Sequence, residues 1–198
     1  MNGRERLLAH LDGKPVDCLP VMPITMMFAG DHLGVKYGEY VTDFRKLVAA
    51  QVKIADDYDF DFVSCISDPA REAADCGAHV EIFPDQPPAI VEGNALLADK
   101  KALPTLNVPN PFSEGRMVDR IRAAELFRQE VGDRYLLEGW IEGPCAEAAD
   151  LRGINTLMMD FFDDPDFIHE LFEFALQMGL QFARAQVEAG IDLIGVGD

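Results

Sequence analysis

Four short apolar runs recur along the chain: 18–25 (CLPVMPIT), 61–67 (DFVSCIS), 135–144 (YLLEGWIEGP) and 191–198 (IDLIGVGD). Each has the length and residue types of a strand, and between them lie stretches with apolar residues at helical spacing. Asn2 and Glu5 have capping-box spacing and open a first helix with Leu7, Leu8 and Leu11 on one face. Thr42 can cap a second helix, in which Phe44, Leu47, Val48, Val52 and Ile54 share a face. A third helix is expected over 116–131 and a turn and helix over 145–162. The longest begins at Asp164 and Pro165, an N-cap and a first-turn proline, and stops at Gly190. Strands joined through helices run parallel, because each crossover returns the chain to the same end of the sheet.

Such a parallel sheet either stays open and doubly wound or closes into a (β/α)8 barrel. No Gly-rich phosphate fingerprint follows any of the strands, which removes the main support for the open form. A barrel uses eight strands and about 250 residues, and this chain of 198 residues has used four strands. The expected architecture is therefore α/β: residues 1–198 as the N-terminal part, about half, of a single TIM barrel. Within it, 79–93 reads as a hairpin excursion and 104–112 as a Pro- and Asn-rich loop. Half a barrel leaves an open strand edge and an uncovered apolar face, so pairing with a second copy or with a complementary half-barrel is expected.

Acidic residues outnumber basic ones 35 to 17, a formal charge of −18 that argues against nucleic acid and anionic membrane surfaces as partners. No apolar run is long enough to span a bilayer. The four cysteines, Cys18, Cys65, Cys76 and Cys145, form no paired framework and suit a reducing compartment, so a cytoplasmic location is expected.

The opening NGRERLLAHLDGKPVDCLPVMP, then DFVSCISD, EIFPDQPPAI, LLEGWIEGP and GIDLIGVGD, resemble in order and spacing the uroporphyrinogen decarboxylase superfamily. That superfamily holds the porphyrin-pathway decarboxylase and the cobamide-dependent methyltransferases, single (β/α)8 barrels of well over 300 residues. In the decarboxylase, an Arg-Gln-Ala-Gly-Arg loop after the first strand holds the substrate's carboxylates. The matching stretch here is MFAGD, with Met27 and Asp31 at the two arginine positions and His32 beside them. An anion facing a polycarboxylate is repulsive, which disfavours the porphyrinogen substrate. A decarboxylase tyrosine falls near Asp150, and the aspartate placed at the pyrrole nitrogens matches Asp68.

The methyltransferase branch fits these substitutions better. The resemblance implies methyl transfer between a corrinoid or pterin carrier and a thiol acceptor, with a small molecule or a corrinoid protein as donor. Complete members bind zinc through a His-X-Cys pair and a later Cys. None of His10, His32, His79 and His169 begins such a pair, so no metal or cofactor is assigned to this chain. The remaining expectation is a non-catalytic half-barrel that serves assembly.

In a barrel the chemistry lies where strands end. Asp68, Glu142 and Asp198 stand at strand exits and are the catalytic candidates; Met27, Asp31, His32 and Asp150 are the substrate-binding ones. A helix-capping or solvated loop carboxylate is the plain alternative for each acid. Cys76 and His79 have the spacing of two metal ligands without a second pair. Cys65 reads as buried and inert, Cys145 as the more reactive thiol.

Overall fold

A computed structural model describes residues 1–113 and 115–198. Three strands, β1 (Phe62–Ser64), β4 (Leu136–Glu142) and β5 (Leu193–Gly197), form one parallel sheet in the order β1-β4-β5. Phe62 lies opposite Leu136, Glu138 opposite Leu193 and Glu142 opposite Gly197. Helices α4 (Phe44–Tyr58), α6 (Arg116–Val131) and α9 (Pro165–Glu188) cover one face of the sheet. Strands β2 (Val80–Glu81) and β3 (Ala89–Ile90) make the expected antiparallel hairpin.

Side chains alternate along β4 and divide the sheet into two faces. Leu137 packs into the core shared with α4 and α6, and Ile141 packs against Met117, Ile121 and Phe182 of α6 and α9. Leu136, Glu138, Trp140 and Glu142 point the other way, into what is the interior of a barrel. That interior face changes character from end to end. Leu136 meets Phe62 and Leu7, the latter from α1 (Gly3–Leu11), which plugs the N-terminal end. Ser64 bonds Glu138 in the middle, and Glu142 occupies the C-terminal end. Gly195 lies under the Trp140 ring, so closely that any Cβ there would overlap it.

The sequence expectation fails at several elements. Residues 18–25 run without a ladder, because Pro20 and Pro23 have no N–H to donate. The segment is tied down instead at Val21, whose N donates to Asp61 Oδ2 (2.6 Å) while Asp61 N donates to Val21 O (3.1 Å). The 61–67 run keeps its ladder only to Ser64, since Ile66 N turns to the Ser64 hydroxyl. Residues following 18–25 form α2 (Met26–Leu33) and α3 (Tyr37–Thr42) rather than a loop. Asp43, not Thr42, caps α4 by accepting from Arg45 N. The segment 145–162 is two helices, α7 (Pro144–Arg152) and α8 (Ile154–Asp163), broken at Gly153, whose φ of 87° is left-handed.

Candidate functional site

Beyond the C-terminal end of β1 the chain reads Ser67-Asp68-Pro69 and enters the short helix α5 (Arg71–Asp75). Two tyrosines of α3 prop this exit from behind. The Tyr40 hydroxyl donates to Ile66 O (3.0 Å), Tyr37 donates to Ser67 O, and the two rings stack with centroids 5.6 Å apart. Gln51 of α4 completes the brace by donating to the Tyr40 hydroxyl at 2.8 Å. The backbone that leads into Asp68 is thus held by buried hydrogen bonds from α3.

Asp68 is buried and bound by both Nη atoms of Arg116, at 2.7 and 2.6 Å. Burial pushes its carboxyl up, but the bonds to Arg116 and the charges of Arg116 and Arg71 outweigh it and hold the group below its ordinary value. It stays an anion. Arg71, with no exposed surface, donates to Glu72 (3.2 Å) and to Glu142 Oε1 (3.1 Å). Glu72 in turn accepts from Glu142 N at 3.1 Å, and Trp140 Nε1 donates to Glu142 Oε1 at 3.1 Å.

Glu142 faces a different environment from Asp68. Burial pushes it up to about 7, with Arg71 opposing and Glu72 reinforcing the shift. Asp150 of α7 is pushed up to about 6 by burial and by the charges of Glu72 and Asp68. Glu147, also on α7, is almost fully buried with neither carboxylate oxygen hydrogen-bonded, and burial with the nearby Glu72, Asp150 and Glu142 raises it further. One guanidinium therefore serves more than one acid, and Glu142 is partly protonated at neutral pH. Such a set can hold an anion at Asp68 and exchange a proton at Glu142.

Of the residues the sequence singled out, the structure brings Asp68, Glu142 and Asp150 to this cluster. Asp198 lies at the neighbouring exit of β5, where its Oδ1 accepts from Cys145 N (2.8 Å) and Ala146 N (3.0 Å) at the start of α7. Met27, Asp31 and His32 stand apart on α2. Met27 packs against the α4 core, Asp31 is exposed, and His32 Nε2 meets Asp57 Oδ2 at 2.6 Å. Asp57 lies at the end of α4 that leads into β1, which is the N-terminal side of the sheet. A cavity of about 700 Å³ is also on that side, between Arg6, Leu19, Tyr58 and Arg134, away from the strand exits.

Sequence reading missed Arg71, Glu72, Arg116 and Glu147. Its one available signal was the charged Arg-Glu pair three residues after Asp68. Burial pushes Cys65 up to about 12, and burial with the charge of Asp198 raises Cys145, so Cys145 is not an activated thiol. Cys76 packs its sulfur on Met178 at 3.3 Å, and burial raises it too. Among the described residues no three His, Cys, Asp or Glu side chains converge to hold a metal. Nor is any helix, among the described residues, long and apolar enough to cross a membrane.

The sequence pattern of the uroporphyrinogen decarboxylase (URO-D) family matches residues 2–198. The methylcobamide:CoM methyltransferase MtaA of Methanosarcina barkeri is 26% identical over 201 residues, and MtbA of Methanosarcina mazei is 23% identical over 200. Each alignment covers 98% of this chain and 58% of the relative. A solved methyltransferase from Methanosarcina mazei superposes with a TM-score of 0.86 at 22% identity, covering 99% of this chain and 58% of that one. The chain thus has the α/β fold of that barrel over little more than half the relatives' length.

Proposed function

Because the chain belongs to the uroporphyrinogen decarboxylase family over residues 2–198, we propose that it forms the N-terminal part of a single (β/α)8 domain that transfers a methyl group from a cobamide carrier to a thiol. The observation that carries this reading is the similarity to methylcobamide:CoM methyltransferases across 98% of the chain. The cluster at the strand exits supports it chemically.

A thiol that gains a methyl group must lose its proton. In the proposed reaction the S–H electron pair becomes the new S–C bond, the pair of the broken methyl bond stays with the carrier, and the proton passes to Glu142. A carboxylate near 7 is matched to that task at neutral pH, since it is substantially ionised yet basic enough to take a proton. Arg71 holds Glu142 in place, and Asp150 and Glu147 sit beside it as further proton-holding groups. Asp68 with Arg116 fixes the charge at the neighbouring exit. The carrier and the thiol are substrates of the barrel, and no step is routed through zinc.

Porphyrinogen decarboxylation is the weaker reading. It requires Asp68 to face pyrrole nitrogens, whereas both Asp68 oxygens are engaged by Arg116. Methylcobalamin and 2-mercaptoethanesulfonate supplied to the protein, with the methyl thioether quantified by mass spectrometry, test the proposal. Thioether formation that falls at least tenfold in Glu142→Gln supports it; decarboxylation of uroporphyrinogen with no thioether overturns it.

A further inference from the structure

Trp140 is the chain's single tryptophan, and two glycines of β5 make the room that its ring occupies. A Cβ at Gly195 would stand 2.4 Å from Trp140 Cε3, and one at Gly197 would stand 3.3 Å from Cζ2. The ring therefore rests on two residues without side chains, which the GVG of IDLIGVGD supplies. Its backbone is gripped from the helix layer. Gln186 of α9, with no exposed surface, accepts from Trp140 N at 3.0 Å and donates to Trp140 O at 3.1 Å.

The consequence falls on Glu142, two residues further along the same face of β4. Its Oε1 accepts from Trp140 Nε1 and from Arg71 Nη2, each at 3.1 Å, which engages both lone pairs of that oxygen. Oε2 stands against Gly197, 3.0 Å from where a Cβ would lie, and no hydrogen bond among the described residues reaches it. The other charged groups that face Glu142 are Glu72 of α5 and Glu147 and Asp150 of α7, all acids, which offer Oε2 no cation. Glu142 also keeps 9% of its surface exposed, against 1% for Glu147. The two oxygens of one carboxylate are thus unequal: one is held and the other is open.

We propose that Trp140 is a positioning residue, which together with Arg71 pins Oε1 of Glu142 and so makes Oε2 the atom that takes the proton. The proposal rests on the methyl-transfer reading above, in which that proton leaves the thiol S–H and the electron pair enters the new S–C bond. The acid that forms carries its hydrogen on Oε2 and breaks neither bond at Oε1.

With one tryptophan, the protein gives one indole N–H signal in a proton-nitrogen correlation NMR spectrum. In wild type that signal is expected to move with pH through a midpoint near 7, where Glu142 titrates, and in Glu142→Gln to lose that midpoint. A signal that ignores pH, or that titrates alike in both proteins, overturns the proposal. Methyl transfer from methylcobalamin to 2-mercaptoethanesulfonate, followed across pH, is the second readout. Trp140→Phe keeps a ring on the glycines and removes the donor. Its kcat at high pH is expected to fall about fivefold with KM unchanged, and the rising limb to move up by roughly half a pH unit, because the lost N–H had favoured the ionised form. Gly197→Ala crowds Oε2 and is expected to lower kcat by about tenfold while the indole signal still titrates. Loss in Trp140→Phe with an unmoved limb marks a structural role and overturns the proposal, as does a wild-type rate in Gly197→Ala. If wild type forms no thioether, the methyl-transfer reading fails; if a variant has lost its urea transition, its kinetics are set aside. In both cases the indole titration decides alone.

Discussion

Asp68 and Glu142 are carboxylates at adjacent strand exits, yet their surroundings move them in opposite directions. Arg116 grips Asp68 through both Nη atoms, so Arg116→Leu leaves a buried anion without its partner and is expected to cost about 3–5 kcal/mol in urea denaturation. Adding Asp68→Asn to that variant is expected to restore part of the loss. Glu142 behaves in the converse way. Its folded value of about 7 lies above the ordinary 4.5, so the folded protein binds the extra proton. The stability it contributes is complete below about pH 4.5 and is lost as pH rises through 7; Asp150 acts alike between 3.8 and about 6. Melting temperature is therefore expected to fall between pH 5 and 7.5, and Glu142→Gln to flatten that slope. The two acids were legible in the sequence because strand exits can be located from apolar runs. Arg71, Glu72 and Arg116 were not, since a charge near a helix start reads as solvated until tertiary packing buries it.

At the scale of elements, the long strong patterns were readable and the short ones were not. The helix over 116–131 and the Asp164-Pro165 start of α9 have the bounds and cap that their sequences specify. Asp164→Ala removes the bond to Phe167 N and the Lys100 partner, and is expected to lower stability by about 1 kcal/mol in the urea midpoint. In contrast, α2 has 8 residues and α3 has 6, too few turns for a periodicity to stand out from a loop. The break at Gly153 was also invisible, because its need arises where α8 must turn away from α7 to bury Leu157. Placing alanine at that left-handed φ is expected to cost roughly 1–3 kcal/mol, with the α7–α8 junction the first amides to lose exchange protection.

For the whole molecule, the alternation of strands and helices was enough to specify a parallel sheet and the barrel class. The number of laddered strands was not, because prolines at 20 and 23 deny the first run its donors. A formal charge of −18 on this frame opposes compaction. Raising sodium chloride from 20 to 300 mM shortens the screening distance to several ångströms and is expected to raise the melting temperature, even though it weakens the surface ion pairs.

One pattern recurs at the rim where the strands finish. Glu72 Oε1 accepts from Glu142 N, Asp198 Oδ1 from Cys145 N and Ala146 N, and the Asp75 carboxylate from Arg116 N and Met117 N. Each carboxylate clasps the backbone of a neighbouring unit rather than its own. These bonds tie the exits of β4 and β5 to the elements beside them, and amide hydrogen exchange is expected to show Glu142, Cys145 and Ala146 opening together instead of one at a time.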